Sequence, residues 1–315
     1  MRQRPTHLNV RLIGLLVCFF LGSSVVLGKG ALTAKQARKL IAEMPGVALK
    51  TGVIHVGDVR SIDNDTAQAA AEIAMPFKLE KSDGDWRVAE FRTGQERWES
   101  VDLVARALKV ELNDRACQLL EIEPAARTDP SNRQARCLVA DLLGIQLPSD
   151  SIRIREISSL SLPLSSKDFA VVDTLLTVEF QFSRSDGSWR VSGVRTGNHA
   201  WVNPETIFNA LNTEKIAAAR AELETLARGL EDFRRQTGHY VEAKSGRVLV
   251  DFLSPRYLRQ IIRLDPWGHP YLYEGTQSSF SLRSLGPDGQ ENTSDDLAIT
   301  GPGPSAATDM PRTNQ

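Results

Sequence analysis

The middle of the chain contains two stretches in which mostly apolar residues alternate regularly with polar ones. The first runs from Ala71 to Leu79 and the second from Thr174 to Phe182. A period of two is typical of a strand with one face in the core and one face in water. The alternation therefore predicts two long strands whose inward faces consist of Ala71, Ile73, Met75, Phe77 and Leu79 in one, and of Thr174, Leu176, Val178, Phe180 and Phe182 in the other.

These strands belong to an internal repeat. Residues 82–88 (SDGDWRV) reappear as residues 185–191 (SDGSWRV), and the Arg-Thr-Gly of residues 92–94 reappears at 195–197. The Asp-Gly pair in each copy predicts a tight hairpin turn. A helix (34–44 and 132–143) and a short strand (52–59 and 151–157) are predicted ahead of each long strand. Pro76 lacks a backbone donor, which predicts an edge position for the first long strand.

The predicted fold class is therefore α+β, with two tandem helix-plus-antiparallel-sheet repeats at 31–110 and 111–212. At the level of architecture the repeats resemble small cystatin-like or NTF2-like units. Four tryptophans recur at equivalent positions of the copies, and two interpretations of them stay open. Large aromatic residues on strands usually pack in a core, which we favour, but they also line ligand pockets. The four residues are Trp86 and Trp189, and Trp98 and Trp201.

The N-terminus indicates export. An apolar run at residues 12–28 follows Arg2, Arg4 and Arg11. Residues 1–30 are thus either a cleaved signal peptide or a retained inner-membrane anchor, and both place the body outside the cytoplasm. In such an oxidising compartment we expect Cys117 and Cys137 to form a disulfide, the alternative being two separate buried thiols.

The charge balance and the motifs of the sequence argue against two classes of function, nucleic-acid binding and catalysis. Lys and Arg total 38 against 39 acidic residues, so no concentrated basic surface for nucleic acid is expected. The sequence contains no His-Glu-x-x-His, phosphate-loop or Gly-x-Ser-x-Gly motif, and its five histidines are scattered. We therefore predict that the protein is not an enzyme.

The last third of the chain begins with a helical stripe and ends in an acidic loop. Apolar residues at steps of three and four between Ile216 and Phe233 predict one long amphipathic helix. Further on, Asp288, Asp295 and Asp296 place three carboxylates close together in sequence, with Gly286 and Gly289 beside them. Oxygen-rich loops of this kind bind Ca²⁺, although many are ordinary solvated turns.

The motifs between them are distinctive: Asp-Pro-Trp-Gly-His-Pro-Tyr at 265–271, Ser-Leu-Gly-Pro-Asp-Gly at 284–289, and Asp295-Asp296. Over residues 213–300 the chain resembles the soluble domain of the major pseudopilin of type II secretion, protein G. The resemblance implies a long helix packed on a small antiparallel sheet, and partners among envelope or secretion-machinery proteins. It also implies a Ca²⁺ site formed by the side chains of Asp288, Asp295 and Asp296 and the carbonyls of Leu285 and Gln290. Residues 265–268 are interpreted as a turn with tryptophan packing, and the tail at 301–315 as disordered.

The chain departs from that family in two places. Residues 31–212 separate the apolar run from the pseudopilin-like region, and Val241 stands where the family has proline. We therefore expect that the chain does not polymerise as a pseudopilus subunit. The leading hypothesis is a non-enzymatic, calcium-binding envelope protein linked to type II secretion or type IV pilus-type machinery. The alternative is a binding module whose repeats capture a small molecule, peptide or polymer. An enzyme with an NTF2-like pocket rests on fold analogy and ranks last.

Overall fold

A computed structural model describes residues 26–27, 30–44, 49–94, 97–110, 117, 130–160 and 168–302. The chain divides into two compact units between Glu214 and Lys215, and each is described by itself below. The predicted leader lies outside the described residues apart from 26–27 and 30, and so does the predicted tail beyond residue 302. Across the described ranges, no helix has both the length and the apolar character needed to cross a bilayer.

The first unit combines helices with one large antiparallel sheet. Its helices are α1 (Ala34–Ala42), α2 (Val101–Leu108), α3 (Asn132–Leu143) and the start of α4 (Pro204–Thr237), and a short 3-10 turn covers Thr51–Val53. Its strands are β1 (Val26–Leu27), β2 (Ile54–Ser61), β3 (Thr66–Ser82), β4 (Asp85–Arg92), β5 (Trp98–Ser100), β6 (Ile152–Leu160), β7 (Asp168–Ser185) and β8 (Ser188–Arg195).

The two sequence repeats share this sheet. The strand order is β1-β8-β7-β3-β4-β5, with β2 also paired to β3 and β6 also paired to β7. The two long strands are the central pair, and their antiparallel register runs from Thr66 opposite Ser183 to Lys81 opposite Asp168. The copies predicted at 31–110 and 111–212 are thus joined edge to edge in one compact unit.

The register gives the unit a local two-fold axis. Ile73 lies opposite Leu176, and these two residues are also equivalent positions of the repeat. The pairs on either side are related by the same symmetry. Ala69 is the repeat equivalent of Val172 and Phe77 that of Phe180, and the register places Ala69 opposite Phe180 and Phe77 opposite Val172. The inward faces of both long strands consequently form one apolar layer, and every residue predicted for these faces is buried.

Each repeat helix begins at a hydroxyl cap. The Thr33 side chain accepts a hydrogen bond from the Gln36 backbone amide, and the Gln36 side-chain oxygen accepts one from the Thr33 backbone amide, which is a capping box. Ser131 caps α3 by accepting from the Gln134 amide at 3.1 Å. α1 contacts strands β2 and β8, and α3 contacts β6 and β4. Each helix therefore covers strands from both copies, which fastens the repeats to each other.

The expected edge position of Pro76 is wrong, because β3 is a central strand. β7 pairs with β3 along its whole length, while the opposite side of β3 is divided between two shorter strands. β2 pairs with β3 up to Ile73, and β4 pairs with it from Phe77 onward. Pro76 lies in the interval between them, where β3 has no partner on that side. The missing donor is accommodated by an interruption of the sheet within a central strand.

The predicted Asp-Gly turns are tight, left-handed hairpin turns. Asp83 and Gly84 have φ angles of 55° and 92°, and Asp186 and Gly187 have φ angles of 54° and 75°. Two successive residues with positive φ match the twist of the flanking strands.

Alanine at position 84 is expected to destabilise the first unit through backbone strain, because a side chain disfavours the left-handed conformation. The expected loss is about 1 kcal/mol of unfolding free energy, measured by urea unfolding. Gly52→Ala is the matched control, since no atom lies within 4 Å of the added carbon and its φ is not in the left-handed range. Equal effects of the two substitutions would contradict the explanation.

In the second unit, a long helix is followed by a small sheet. Residues 215–237 of α4 are followed by α5 (Gly246–Leu253) and by strands β9 (Leu272–Gly275), β10 (Phe280–Ser284) and β11 (Leu297–Thr300). The sheet is antiparallel with β10 in the centre. One side of α4 and the inward residues of this sheet form a single apolar cluster that includes Leu223, Leu226, Leu230, Tyr240, Leu253, Tyr271, Tyr273, Phe280 and Leu282. This is the helix-on-sheet arrangement predicted for residues 213–300.

Candidate metal centre

The candidate site is the loop that joins β10 to β11. Ser284 lies opposite Leu297 in the sheet register, so the segment at 285–296 leaves and re-enters the sheet at neighbouring positions. Three of its residues have positive φ: Gly286 at 60°, Gly289 at 66° and Asn292 at 65°. These left-handed turns curl the segment back on itself, which directs several of its polar groups toward one another.

The three aspartates of the loop accept hydrogen bonds from groups within the loop. Asp288 Oδ1 accepts from the Gln290 amide at 2.8 Å, and Asp296 Oδ2 accepts from the Asn292 amide at 2.8 Å. The Thr293 hydroxyl lies between them, 3.4 Å from Asp288 Oδ1 and 3.3 Å from Asp296 Oδ1. Asp295 Oδ2 accepts from the Asp288 amide at 3.3 Å. The Thr293 hydroxyl thus lies between two of the carboxylates, and the third accepts from the backbone of Asp288.

Glycine is required where the two ends of the loop meet. A side-chain carbon on Gly286 would lie 2.5 Å from the Asp295 carbonyl oxygen and 2.8 Å from Asp295 Oδ2. A carbon on Gly289 would lie 2.7 Å from His269 Nε2. Both distances are shorter than real contacts, and both residues also have positive φ. Only a residue without a side chain lets Asp295 approach the start of the loop this closely.

The buried carboxylate of Asp265 fixes the start of the loop through hydrogen bonds. Asp265 is 4% exposed, and its Oδ1 accepts from the Trp267 amide at 3.0 Å and from the His269 amide at 2.8 Å. Its Oδ2 accepts from the Ser284 hydroxyl at 2.6 Å. Ser284 in turn accepts from the Gly286 amide at 3.2 Å, and His269 Nδ1 lies 3.0 Å from the Gly286 carbonyl oxygen. The turn at residues 265–269 therefore fixes the position of Gly286.

Sequence reasoning missed this anchoring role, because it interpreted residues 265–268 as a turn with tryptophan packing. Trp267 is indeed buried, at 2% exposure. The hydrogen bond from Ser284 to Asp265, however, joins residues far apart in the chain. The Asp-Pro pair is a local signal for a turn, but no local signal identifies the serine that its carboxylate contacts.

The oxygen atoms of the loop are of the kind that coordinates a hard cation. Carboxylate and carbonyl oxygens are the ligands that Ca²⁺ takes in proteins, usually six to eight of them. The set expected from sequence is three carboxylates and two backbone carbonyls, and one of those carbonyls, that of Gln290, accepts from the Thr293 hydroxyl at 3.2 Å. As the side chains stand, no three His, Cys, Asp or Glu residues in the described part of the chain are grouped closely enough to hold a metal. Binding would require the carboxylates to leave the loop amides and turn inward.

The other candidate residues lie in the first unit. Cys117 and Cys137 are joined as a disulfide. Trp86 and Trp189 are buried, at 1% and 2% exposure, and the Trp189 indole nitrogen donates to the Gly30 carbonyl at 3.4 Å. Trp98 and Trp201 are partly exposed, and Trp201 lies under the Arg195 guanidinium at 4.4 Å. The burial of Trp86 and Trp189 agrees with the core interpretation.

A partly buried pair of titratable residues, Glu222 of α4 and Tyr271, lies elsewhere in the second unit. The Tyr271 hydroxyl donates to Glu222 Oε2 at 2.6 Å. Burial raises the pKa of the Glu222 carboxyl above its ordinary value of 4.5, the hydrogen bond from Tyr271 lowers it, and the charge of Asp265 raises it. The net shift is upward, so the folded protein binds this proton more tightly than the unfolded chain.

The stabilising contribution of Glu222 is therefore fully present below about pH 4.5 and is lost as pH rises through its raised, folded-state pKa. We expect Glu222→Gln to remove the decrease in unfolding free energy that accompanies this ionisation, since the amide cannot ionise and still accepts from Tyr271. Urea unfolding at acidic and neutral pH measures that decrease. Glu224→Gln, at an exposed position of the same helix, is the control. A wild-type pH dependence in the Glu222→Gln variant would contradict the assignment.

Comparison with known proteins points to one family for this region. Residues 206–301 match the model of the family described as type II secretion system (T2SS), protein G. The chain is also similar to the type II secretion system core protein G of Pseudomonas aeruginosa, at 31% identity over 100 residues, which is 28% of this chain and 70% of that protein. No solved structure matches the chain. The family match includes all of α4 except its first two residues, the sheet and the whole acidic loop.

Proposed function

Since the chain belongs to the type II secretion system protein G family through residues 206–301, we propose that it acts in assembly or interaction at a type II secretion or type IV pilus-type machine. The protein is then a non-enzymatic envelope component whose pseudopilin-like domain binds calcium. The observation that carries the proposal is the acidic loop at 285–296, which lies within the matched region and has three aspartates between β10 and β11.

The role of the loop in this proposal is to stabilise the domain. Three carboxylates held near one another repel, and the two charges of Ca²⁺ offset that repulsion. The carboxylates of Asp288, Asp295 and Asp296 and the carbonyls of Leu285 and Gln290 hold the ion. Gly286 and Gly289 permit the close approach, and Asp265 keeps the start of the loop in place. The loop then holds the ends of β10 and β11 in the form that a partner recognises.

We also propose that the body of the chain is exported. A disulfide between Cys117 and Cys137 suits an oxidising compartment. The run at residues 12–28 supplies the export signal, either as a cleaved leader or as an inner-membrane anchor. Because residues 31–212 separate it from the pseudopilin-like region, we propose that the chain contacts the secretion machinery without polymerising as a pseudopilus subunit.

Co-purification from envelope fractions tests this function. The tagged full chain is recovered in calcium-containing buffer, and the bound proteins are identified by mass spectrometry. We expect enrichment of type II secretion or pilus-type components over an untagged control, and a weaker enrichment with Asp288→Ala. Recovery of no such component with the wild-type chain would contradict the proposal.

A specific observation also favours the second candidate, a binding module formed by the repeats. A cavity lies at the interruption of the sheet beside Pro76. The four tryptophans do not line it, so the binding residues differ from those expected from sequence.

A further inference from the structure

We propose that the interruption of β3 in the first unit is a binding pocket for a small organic anion. A cavity of about 280 Å³ opens where neither β2 nor β4 pairs with residues 74–76. Part of its wall is apolar, formed by Leu49, Val53 and Pro76. Three cationic side chains, those of Lys50, Arg92 and Arg155, line the rest together with Asp173.

The charges of the pocket are unbalanced. Three cations face one carboxylate, which leaves a net charge of +2. Arg92 donates through Nε to the Gly94 carbonyl at 2.9 Å, which fixes its guanidinium at the pocket wall. Within the described residues, no ion pair joins Lys50, Arg92 or Arg155 to a carboxylate. Arginine held in this way is suited to charge-assisted hydrogen bonds with a carboxylate or phosphate group.

The second copy of the repeat provides an internal comparison. Arg195 is the equivalent of Arg92, and Glu179 is the equivalent of Pro76. Glu179 lies directly opposite Arg195 in the register, and their side chains form an ion pair at 2.5 Å. In the first copy the residue beside Arg92 is proline, which removes the carboxylate. Neither β6 nor β8 pairs with residues 177–178, so both copies have the interruption, and that of the first copy is one residue longer. The proline therefore leaves Arg92 without a carboxylate partner at an interruption that the two copies share.

The other two cations of the pocket are also specific to this copy. The strands β2 and β6 are equivalent, because Ile54 lies opposite Ile73 as Ile152 lies opposite Leu176. This places Lys50 at the position of Pro148, and Arg155 at the position of Gly57. The equivalent location around Glu179 thus contains neither cation. A pocket with three cations occurs once around the two-fold axis, which distinguishes it from a general property of the repeat.

The lining defines the chemical class of the ligand. An apolar wall favours an aromatic or aliphatic body, and the cations favour one anionic group on it. The small volume restricts the body to about ten non-hydrogen atoms. We therefore assign the pocket to compounds that carry a single carboxylate or phosphate group on a compact apolar body. This activity belongs to the first unit, so its test does not depend on the calcium loop.

Isothermal titration of the full chain tests the pocket with four probes: benzoate, phenyl phosphate, inorganic phosphate and benzyl alcohol. We expect saturable binding of benzoate or phenyl phosphate and none of benzyl alcohol, which lacks the charge. The absence of saturable binding of both organic anions up to about 10 mM would overturn the proposal. Inorganic phosphate binding as tightly as phenyl phosphate would also overturn it, because the apolar wall would then contribute nothing.

Matched variants locate the binding. Arg92→Gln is expected to weaken it at least about tenfold, whereas Arg195→Gln, the equivalent change in the other copy, is expected to leave it unchanged. Pro76→Glu places a carboxylate opposite Arg92, as Glu179 lies opposite Arg195, and is expected to weaken binding as much as Arg92→Gln. Circular dichroism checks that each variant is folded. Should Pro76→Glu be unfolded, the comparison of Arg92→Gln with Arg195→Gln tests the pocket without it. Equal weakening by Arg92→Gln and Arg195→Gln would overturn the assignment.

Discussion

Replacement of Asp265 by alanine is expected to lower the free energy of unfolding of the second unit by about 3–5 kcal/mol. The substitution leaves the Trp267 amide, the His269 amide and the Ser284 hydroxyl without their common acceptor. Each buried donor left without a partner costs about 1–3 kcal/mol. Urea unfolding followed by tryptophan fluorescence measures the change, because Trp267 is buried in the same turn.

Asp265→Asn is the matched control for this prediction. The asparagine carbonyl still accepts from the two backbone amides, and its amide group donates to the Ser284 oxygen in place of the reverse bond. We therefore expect it to lose less than half of what alanine loses. An alanine variant as stable as the wild type would show that the buried carboxylate does not anchor the turn.

Removal of calcium is expected to destabilise the second unit by a comparable amount. A ligand that binds only the folded form adds RT ln(1 + [L]/Kd), which is about 2.7 kcal/mol at a hundredfold excess over Kd. For a unit of this size, that corresponds to a fall in Tm of about 10 °C or more upon chelation. Thermal unfolding of the full chain in calcium and in chelator measures the shift.

Two variants separate a bound ion from a general effect of salt. Asp288→Ala removes one proposed ligand and is expected to abolish the difference between calcium and chelator. Asp251→Ala removes an exposed carboxylate of α5 in the same unit and is expected to preserve it. A shift of the same size in both variants, or no shift in the wild type, would contradict calcium binding at the loop.

The sequence predicted much of the fold, because its strongest signals are local. Alternation from Ala71 to Leu79 identified which side of β3 is buried, since the side-chain period of a strand is fixed. The Asp-Gly pairs at 83–84 and 186–187 identified both hairpin turns, since their left-handed backbone favours these residues. The helix at 132–143 begins and ends where it was predicted.

The partner of each strand was not predictable in the same way. A period of two says which face is buried but not which strand lies alongside. The pairing of β3 with β7 joins the two repeats in one sheet, and it places Pro76 in the interior of that sheet. Proline was therefore interpreted as an edge signal, whereas it marks an interruption between β2 and β4. That interruption is visible only when the registers of three strands are known.

The candidate metal centre was likewise predictable only in part. The aspartates and glycines of the loop are close in sequence, so a single segment and its family resemblance were enough to name the proposed ligands. Asp265, His269 and Ser284 support the loop through contacts between residues distant in the chain, and sequence reasoning assigned them no such role. The pocket beside Pro76 also depends on a comparison of equivalent positions that becomes meaningful once the two-fold register is known.

Calcium binding at the loop is best tested by a structure of the protein determined in the presence of calcium. We expect one ion at the β10–β11 loop, with oxygens of Asp288, Asp295 and Asp296 and the carbonyls of Leu285 and Gln290 at about 2.3–2.6 Å. In that structure the carboxylates of Asp288 and Asp296 will have exchanged their loop amides for the ion. A loop without an ion, in which these two carboxylates still accept from the amides of Gln290 and Asn292, would contradict it.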